Sequence, residues 1–299
     1  MGFQKALREQ VWTKTLIAGP SGAGKSYSAL RMATGMAKAL GSRIAYIGTE
    51  GSRDKYYANE FDYDLLQIEA PYKIDKYLDA LDDAIESGYK VVIIDQISSE
   101  WQWLNDQHDK MPGNSFQNWG KLKPIHNKFM ETILMSPIHV IACGRGKTEW
   151  VMEEENGKQK PKKVGLGIQS DKDIAYNYTL SLMLEQGTHI ASTDKDNTHL
   201  WDGRFDVITE ADGEALISWA NNSDIPAPVV NVQREIVDED ANGDLIDKMK
   251  TLFKAMDADQ KAPIKDFMKD KGYKNFDALS ELATKDVEEI FNTYFMQSA

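Results

Sequence analysis

The sequence is short of cysteine, of long hydrophobic runs and of positive charge, and each shortage excludes a class of protein. A single cysteine, Cys143, rules out a disulfide within the chain and a zinc site built from several thiolates of one chain. The chain has no run of about 18 apolar residues, and residues 1–14 lack a hydrophobic signal region. We therefore expect a cytoplasmic protein without a membrane span.

The balance of charge is acidic, with 35 lysines and arginines against 47 aspartates and glutamates and a formal net charge of -12. This balance argues against a surface that binds duplex DNA over its whole area. Charges more than about 8 Å apart are largely screened at physiological salt, so a local basic loop can still hold a phosphate backbone. The five histidines are scattered, without the spacing of a metal site or of a catalytic triad.

The most informative stretch runs from Gly19 to Ser26 and fits the pattern G-x-x-x-x-G-K-[ST]. An apolar run at 16–18 precedes it and a helix-forming segment at 26–40 follows, so the pattern predicts a phosphate-binding loop (P-loop) between a strand and a helix. Lys25 would supply a positive charge and Ser26 a magnesium ligand; the alternative is a glycine-rich turn without a ligand. The expected nucleotide contacts are Gly19, Pro20, Ser21, Gly22, Ala23, Gly24, Lys25, Ser26 and Tyr27.

Two acidic residues follow predicted strands at the same edge of the sheet. Glu50 comes directly after the strand at 43–48, where a base that polarises the attacking water would serve phosphoryl transfer. The alternative for Glu50 is an exposed loop carboxylate. Asp95 ends the apolar run at 91–94, which is typical of a strand buried on both faces, and its carboxylate would hold Mg²⁺ together with Ser26.

Two further segments combine lysines with aromatic or turn residues. The stretch at 98–123 interleaves aromatic side chains with cations, which predicts DNA contacts by Trp119, Lys121 and Lys123; core packing is the alternative for any single tryptophan. A β-hairpin is predicted around Asn156-Gly157, with a solvated loop as its alternative function. Its returning arm is the most basic patch in the chain and carries the expected DNA-binding residues Lys158, Lys160, Lys162 and Lys163.

The rest of the chain suggests a large domain, a linker and a small helical domain. Arg145 follows the apolar strand at 138–143, where a cation could sense the γ-phosphate of a nucleotide. We predict an ATPase core at residues 1–222, a linker at 223–244 with two prolines and several acidic residues, and a helical domain at 245–299.

Taken together, the runs GPSGAGKSYSAL, VVIIDQISSEW, NWGKLKPIHNKFM and RGKTEWVMEEENGKQKPKKVGL resemble the bacteriophage RecA-core ATPases that act in single-strand annealing. Glu50 lies 25 residues after Lys25, close to the spacing of the catalytic glutamate in RecA-type recombinases. The resemblance covers roughly residues 1–220. It implies an α/β fold, namely a RecA-like P-loop NTPase core with a mostly parallel sheet flanked by helices, to which a small C-terminal helical domain is added.

In function, the resemblance implies an ATPase that uses ATP and Mg²⁺, binds single-stranded DNA and forms a ring or filament of identical subunits. Lys195 matches the position at which such cores present a Lys-x-Arg or Lys-x-Lys pair to the neighbouring subunit, although the second member here is Asn197. We therefore expect slow hydrolysis unless Arg145, Lys147 or Arg204 replaces the missing cation. The alternative function is a nucleotide-switched loader or scaffold that binds a protein partner through its helical tail and touches DNA little.

Overall fold

The structure, a computed structural model, describes residues 2–3, 5–155, 158–170, 174–229, 239–281 and 284–295, without the side chains of 147–166, 239–242, 244, 255, 258–259, 280–281 and 284–285. The chain divides into two compact units, Met1–Val232 and Gln233–Ala299.

A mostly parallel sheet forms the centre of the first unit. Its order is β3-β2-β4-β5-β1-β7-β8, with β6 paired to β5. Only the β5–β6 and β7–β8 pairs are antiparallel among the described strands. The strands of the described chain are β1 (Lys14–Gly19), β2 (Ile44–Gly48), β3 (Asp64–Gln67), β4 (Val91–Asp95), β5 (His139–Glu155), β6 (Lys158–Ile168), β7 (Leu180–Leu184) and β8 (Ala191–Asp196).

Helices cover both faces of this sheet, because successive side chains of a buried strand point to opposite sides. Val91 and Ile93 of β4 join one apolar cluster, whereas Val92 and Ile94 join the other. The helices of this unit are α1 (Lys25–Leu40), α2 (Ile74–Glu86), α3 (Ser98–Lys110), α4 (Ser115–Met135) and α5 (Glu210–Ala220), with short 3₁₀ helices at Gly51–Lys55 and Ile174–Asn177. Helices α1 and α5 pack on one face, and α2 and α4 on the other. This architecture confirms the predicted α/β class, with a mostly parallel sheet flanked by helices.

Helix α4 begins at Ser115, where the side chain of Asn114 accepts a hydrogen bond from the Phe116 N–H (2.8 Å) and caps the helix. One segment differs from the sequence-based expectation. The strand predicted to end at Cys143 continues as β5 into the hairpin arm, so one 17-residue strand replaces two predicted ones. The predicted turn at 156–157 lies outside the described residues.

The register of the parallel strands gathers their carboxyl ends at one edge of the sheet. Gly19 of β1 lies opposite Arg145 of β5, and Gly48 of β2 lies opposite Asp95 of β4. The backbone is tightly packed here, since a Cβ atom on Gly146 would come within 2.8 Å of the Gly19 carbonyl carbon. The same edge therefore presents the P-loop, both predicted acidic residues and the start of the hairpin.

The second unit is a small helical bundle. It contains α6 (Glu239–Ala255), α7 (Ala258–Asp270), a 3₁₀ helix (Phe276–Glu281) and α8 (Thr284–Tyr294). Its apolar cluster includes Met249, Ile264 and Phe291. Helix α6 starts within the stretch predicted as a linker, so the helical part is longer at its amino end than expected.

Candidate active site

The loop between β1 and α1 has the backbone conformation that its glycines permit. Gly22 and Gly24 have φ values of 77° and 86°, in the left-handed region that residues with a Cβ rarely occupy. Gly24 is also the N-cap of α1, so the positive end of the helix dipole lies at the loop. This arrangement is a cradle for an anion such as the phosphates of a nucleotide.

Lys25 lies across this cradle. Its Nζ donates hydrogen bonds to the carbonyl oxygens of Gly19 and Pro20, each at 3.1 Å. Both acceptors are neutral, so phosphate oxygens would be stronger acceptors for the same ammonium group. The side chain is thus placed where a triphosphate could take over its hydrogen bonds.

Ser26 and Asp95 meet at the predicted metal position. The Ser26 hydroxyl donates to Asp95 Oδ2 at 2.5 Å, and the Tyr46 hydroxyl donates to the same oxygen at 2.6 Å. Burial raises the pKa of Asp95, and the two hydroxyl donors oppose that rise. A carboxylate and a hydroxyl are hard oxygen donors of the kind that Mg²⁺ prefers, so these residues fit the ion that a P-loop nucleotide carries. No local sequence pattern indicated the contact of Tyr46 with Asp95.

Glu50 lies at the same edge, at the start of the 3₁₀ helix. Its Oε1 accepts a hydrogen bond from Gln96 Nε2 at 2.6 Å and lies 3.6 Å from Arg145 Nη2. The N–H of Glu50 is 3.2 Å from the Asp54 carboxylate, which is buried and whose pKa burial raises. The structure thus brings Glu50 and Arg145 together and holds Glu50 by both its backbone and its carboxylate.

Gln96 is a second site residue that was not predicted from the sequence. The residue is only 2% exposed, and within the described chain its Oε1 atom is buried without a hydrogen-bond partner. Because Nε2 is directed at the Glu50 carboxylate, Oε1 must face elsewhere, and a buried acceptor of this kind is normally satisfied by water or a ligand. Its position directly after Asp95 was the available signal.

A cavity of about 210 Å³ adjoins the Glu50 side chain. Its lining is mostly polar and includes two arginines. Its lining consists of Thr49, Glu50, Arg53, Tyr72, Ser99, Gln102 and Arg145.

Lys195 lies away from the P-loop of its own chain. In the β7–β8 ladder Lys195 pairs with Ser181, whereas the end of β7 that lies beside the loop is Leu184. The Lys195 Nζ donates a hydrogen bond to the Tyr176 carbonyl oxygen. Its expected action on a neighbouring subunit stays a prediction. Arg204 donates to Asp212 at 2.8 Å and lies over the Trp201 ring, contacts that serve packing.

The predicted DNA contacts differ in accessibility. The Trp119 ring stacks on the rings of Trp101 and His108, with centroid distances of 5.5 and 4.7 Å. These two contacts cover ring surface that a DNA base would need for stacking. Lys121 and Lys123 are exposed, and Phe116 is 86% exposed. The hairpin backbone is present as predicted, but the side chains of Lys158, Lys160, Lys162 and Lys163 lie outside the described part of the structure.

Tyr27, the last expected nucleotide contact, is 37% exposed. Its ring makes edge contacts with Tyr57 and Phe61, at centroid distances of 5.3 and 5.2 Å. An aromatic surface thus lies beside the first turn of α1.

Among the described residues, no helix has the length and apolar character needed to span a bilayer.

Comparison with known families places this site in a wider group. The family model described as "AAA domain" matches residues 13–205, which is more than half of the chain. The chain belongs to this AAA domain family. The matched range contains Lys25, Ser26, Glu50, Asp95 and Arg145, and it makes the first unit a P-loop ATPase domain.

Among solved structures, the chain is similar to the KaiC-like protein PH0186 of the hyperthermophilic archaeon Pyrococcus horikoshii OT3. It is 14% identical, with a TM-score of 0.36 over 62% of this AAA domain protein and 79% of that chain. No curated protein matches the chain.

Proposed function

We propose that this AAA domain protein hydrolyses ATP, binds single-stranded DNA and promotes strand annealing or recombination, as the resembling bacteriophage ATPases do. The observation that carries the proposal is the gathering of Lys25, Asp95, Glu50 and Arg145 at one edge of the sheet, where the basic hairpin also begins.

In the proposed reaction, the N–H groups of the P-loop and the Lys25 ammonium bind the β- and γ-phosphates. Bound Mg²⁺, held by Ser26 and Asp95, would neutralise charge on the phosphates. Glu50 accepts a proton from the water whose oxygen bonds to the γ-phosphorus, while the bond from that phosphorus to the leaving ADP oxygen breaks. The hydrogen bond from Gln96 holds the Glu50 carboxylate in place for this transfer.

Arg145 links the proposed ATP site to the proposed DNA site. Its side chain approaches Glu50, and its backbone belongs to β5, the strand that continues as one arm of the hairpin. A γ-phosphate that drew the guanidinium away from Glu50 would act on the base of that hairpin. Exposed Phe116 and Lys121 offer a second contact for an unpaired strand, by stacking and by charge.

Assembly into a ring or filament is part of the proposal, in which Lys195, paired with Ser181 and not with the β7 end beside the P-loop, would contact the nucleotide of a neighbouring subunit. Without a second cation at Asn197, hydrolysis should be slow. A protein partner for the helical unit belongs to the loader alternative.

A salt titration of binding to a labelled single strand tests the proposal. We expect affinity to fall steeply with salt, and charge reversal of Lys160, Lys162 and Lys163 to glutamate to weaken binding at least tenfold and lower the salt slope by about 2. The matched control reverses three exposed lysines of the helical unit, Lys265, Lys269 and Lys274, which should leave binding near that of the parent.

The loader alternative predicts a different outcome. If the parent protein binds no single strand at any salt concentration, with or without ATP, the annealing function is excluded. Equal losses in the hairpin variant and the control would indicate a general effect of net charge and not a hairpin contact.

A further inference from the structure

The turn between β7 and β8 contacts the outer side of the P-loop. It comprises residues 185–190 and is closed by hydrogen bonds from Glu185 N–H to Ile190 O (2.9 Å) and from His189 N–H to Glu185 O (3.1 Å). Gly187 has a φ of 92° and permits the tight reversal. The turn is therefore a well-defined platform beside the loop.

Two side chains of this turn donate to P-loop carbonyls. Gln186 Nε2 lies 3.1 Å from the Ser21 oxygen, and His189 Nδ1 lies 3.0 Å from the Ala23 oxygen. A carbonyl oxygen only accepts, so Nδ1 must carry the proton in this contact. His189 itself has a φ of 59°, a left-handed conformation uncommon for a residue with a Cβ.

Each of these two donors sits against one of the left-handed glycines of the loop. A Cβ on Gly24 would be 3.0 Å from His189 Nδ1, and one on Gly22 would be 3.9 Å from Gln186 Nε2. In a planar trans peptide, the C=O and N–H groups point in opposite directions. A donor that holds the Ser21 or Ala23 carbonyl outward therefore turns the N–H of the next residue, Gly22 or Gly24, towards the opposite side.

We propose that Gln186 and His189 form a clamp that sets the orientation of two phosphate-binding peptides, with His189 as the main positioning residue. The inference rests on the proposed binding of ATP. The clamp favours the loop conformation that receives phosphates, so its loss should lower nucleotide affinity more than the rate of the chemical step.

Substitutions at one position separate the hydrogen bond from the backbone effect. His189→Gly retains the left-handed conformation and removes the donor. His189→Asn is the matched control, because asparagine tolerates the same conformation and places an amide N–H near the position of Nδ1. Gln186→Met removes the second donor at similar side-chain length.

Affinity for ADP in the presence of Mg²⁺ is measured by titration with a fluorescent nucleotide. The kcat of ATP hydrolysis is measured separately at saturating ATP. We expect His189→Gly to weaken binding by about tenfold, Gln186→Met by about threefold and His189→Asn by less than about twofold. We expect kcat to change by less than about twofold in each variant. Unchanged affinity in His189→Gly, an equal loss in His189→Asn, or a loss confined to kcat would overturn the clamp.

A measurement without nucleotide distinguishes failure of the clamp from failure of the proposed function. The ¹⁵N shifts of the His189 imidazole, observed at a pH where the ring is neutral, report which nitrogen carries the proton. The Nδ1–H tautomer supports the clamp even if the parent protein binds no nucleotide, and the Nε2–H tautomer overturns it even if binding is tight.

Discussion

Two lysines near opposite ends of the P-loop strand donate to backbone carbonyls, yet their environments differ. Lys14, the first residue of β1, is 3% exposed, and its ammonium reaches Ser136 O (2.8 Å), Ser136 Oγ (3.2 Å) and Ile138 O (2.5 Å). Burial lowers the pKa of Lys14 to about 7. Lys25, just beyond the loop, donates to two carbonyls of that loop and is partly exposed.

The polar groups at the two edges of the sheet therefore differ in what they bind. At the amino edge, polar groups are bound to fixed parts of the fold: His139 Nδ1 accepts hydrogen bonds from the N–H and the hydroxyl of Thr13. At the carboxyl edge, Lys25 has acceptors that a ligand can replace, and Gln96 has a buried oxygen without a partner in the described chain. The fixed hydrogen bonds of the amino edge stabilise the fold, whereas the polar groups of the carboxyl edge are available to bind a ligand.

The largest expected effect comes from removing the base at the carboxyl edge. Glu50→Gln should lower the rate of ATP hydrolysis by about 10² or more, because the amide cannot accept the proton of the attacking water. Nucleotide affinity should stay near that of the parent. Glu60→Gln, an exposed change a short distance along the chain, is the control. Unchanged turnover in Glu50→Gln would place the base elsewhere.

The next effect tests the replaceable acceptors of Lys25. Lys25→Ala should weaken ATP binding by about 10²-fold, because it removes charged hydrogen bonds to phosphate. Its free energy of unfolding without nucleotide should change by less than about 1 kcal/mol, since the side chain is partly exposed. Titration calorimetry and urea unfolding measure the two quantities. A large loss of stability would make Lys25 structural, as Lys14 is.

The same substitution at the other end of the strand should have the opposite outcome. Lys14→Ala leaves three buried acceptors without their donor and opens a small cavity, so the free energy of unfolding should fall by about 3 kcal/mol. Urea unfolding measures this loss. Nucleotide affinity, measured below the unfolding range, should stay close to the parent value. Weakened binding in a fully folded Lys14→Ala protein would contradict the division of duties between the edges.

The smallest effect concerns acid stability at the amino edge. Burial, with a smaller contribution from the Lys14 charge, lowers the pKa of His139 to about 3 from its ordinary 6.5. Between these two pH values the His139 imidazole is protonated in the unfolded chain but neutral in the native chain. The free energy of unfolding therefore decreases as the pH falls below about 6.5, and His139 does not change it above that pH. From pH 7 to pH 5 this loss should be about 2 kcal/mol.

Urea unfolding of His139→Gln at both pH values measures the His139 contribution, because glutamine does not titrate. The difference between pH 7 and pH 5 should shrink by most of that amount. The control is His199→Gln, since the exposed His199 has its pKa raised by Asp202 and so contributes in the opposite direction. Equal pH dependence in parent and His139→Gln would show that His139 is protonated in the native state.

The features that the sequence predicted well depend on local patterns. The apolar run before Asp95, the motif at 19–26 and the helix-forming segment at 26–40 are each determined by neighbouring residues, and the structure has a strand, loop or helix at each. The roles of Lys25, Glu50 and Asp95 stay predictions. Their placement at one edge followed from the rule that parallel strands end together.

The features that were missed depend on contacts between distant parts of the chain. Tyr46 reaches Asp95 only through the pairing of β2 with β4, and His189 reaches Ala23 only because β7 lies beside β1. The continuity of β5 could not be read either, since its strand pattern is interrupted by the glycines and cations at 144–147. Stacking of Trp119 on two rings likewise requires the packing of α3 on α4.

The close approach of Gly146 to Gly19 packs the start of the hairpin directly against the P-loop. Even a single methyl group on Gly146 would force either the phosphate loop or the foot of the hairpin to shift, since the nearest atoms are backbone atoms of Gly19 and Pro20. A side chain at Gly146 would therefore displace both segments together, so this position cannot be enlarged without a change in the geometry of the P-loop.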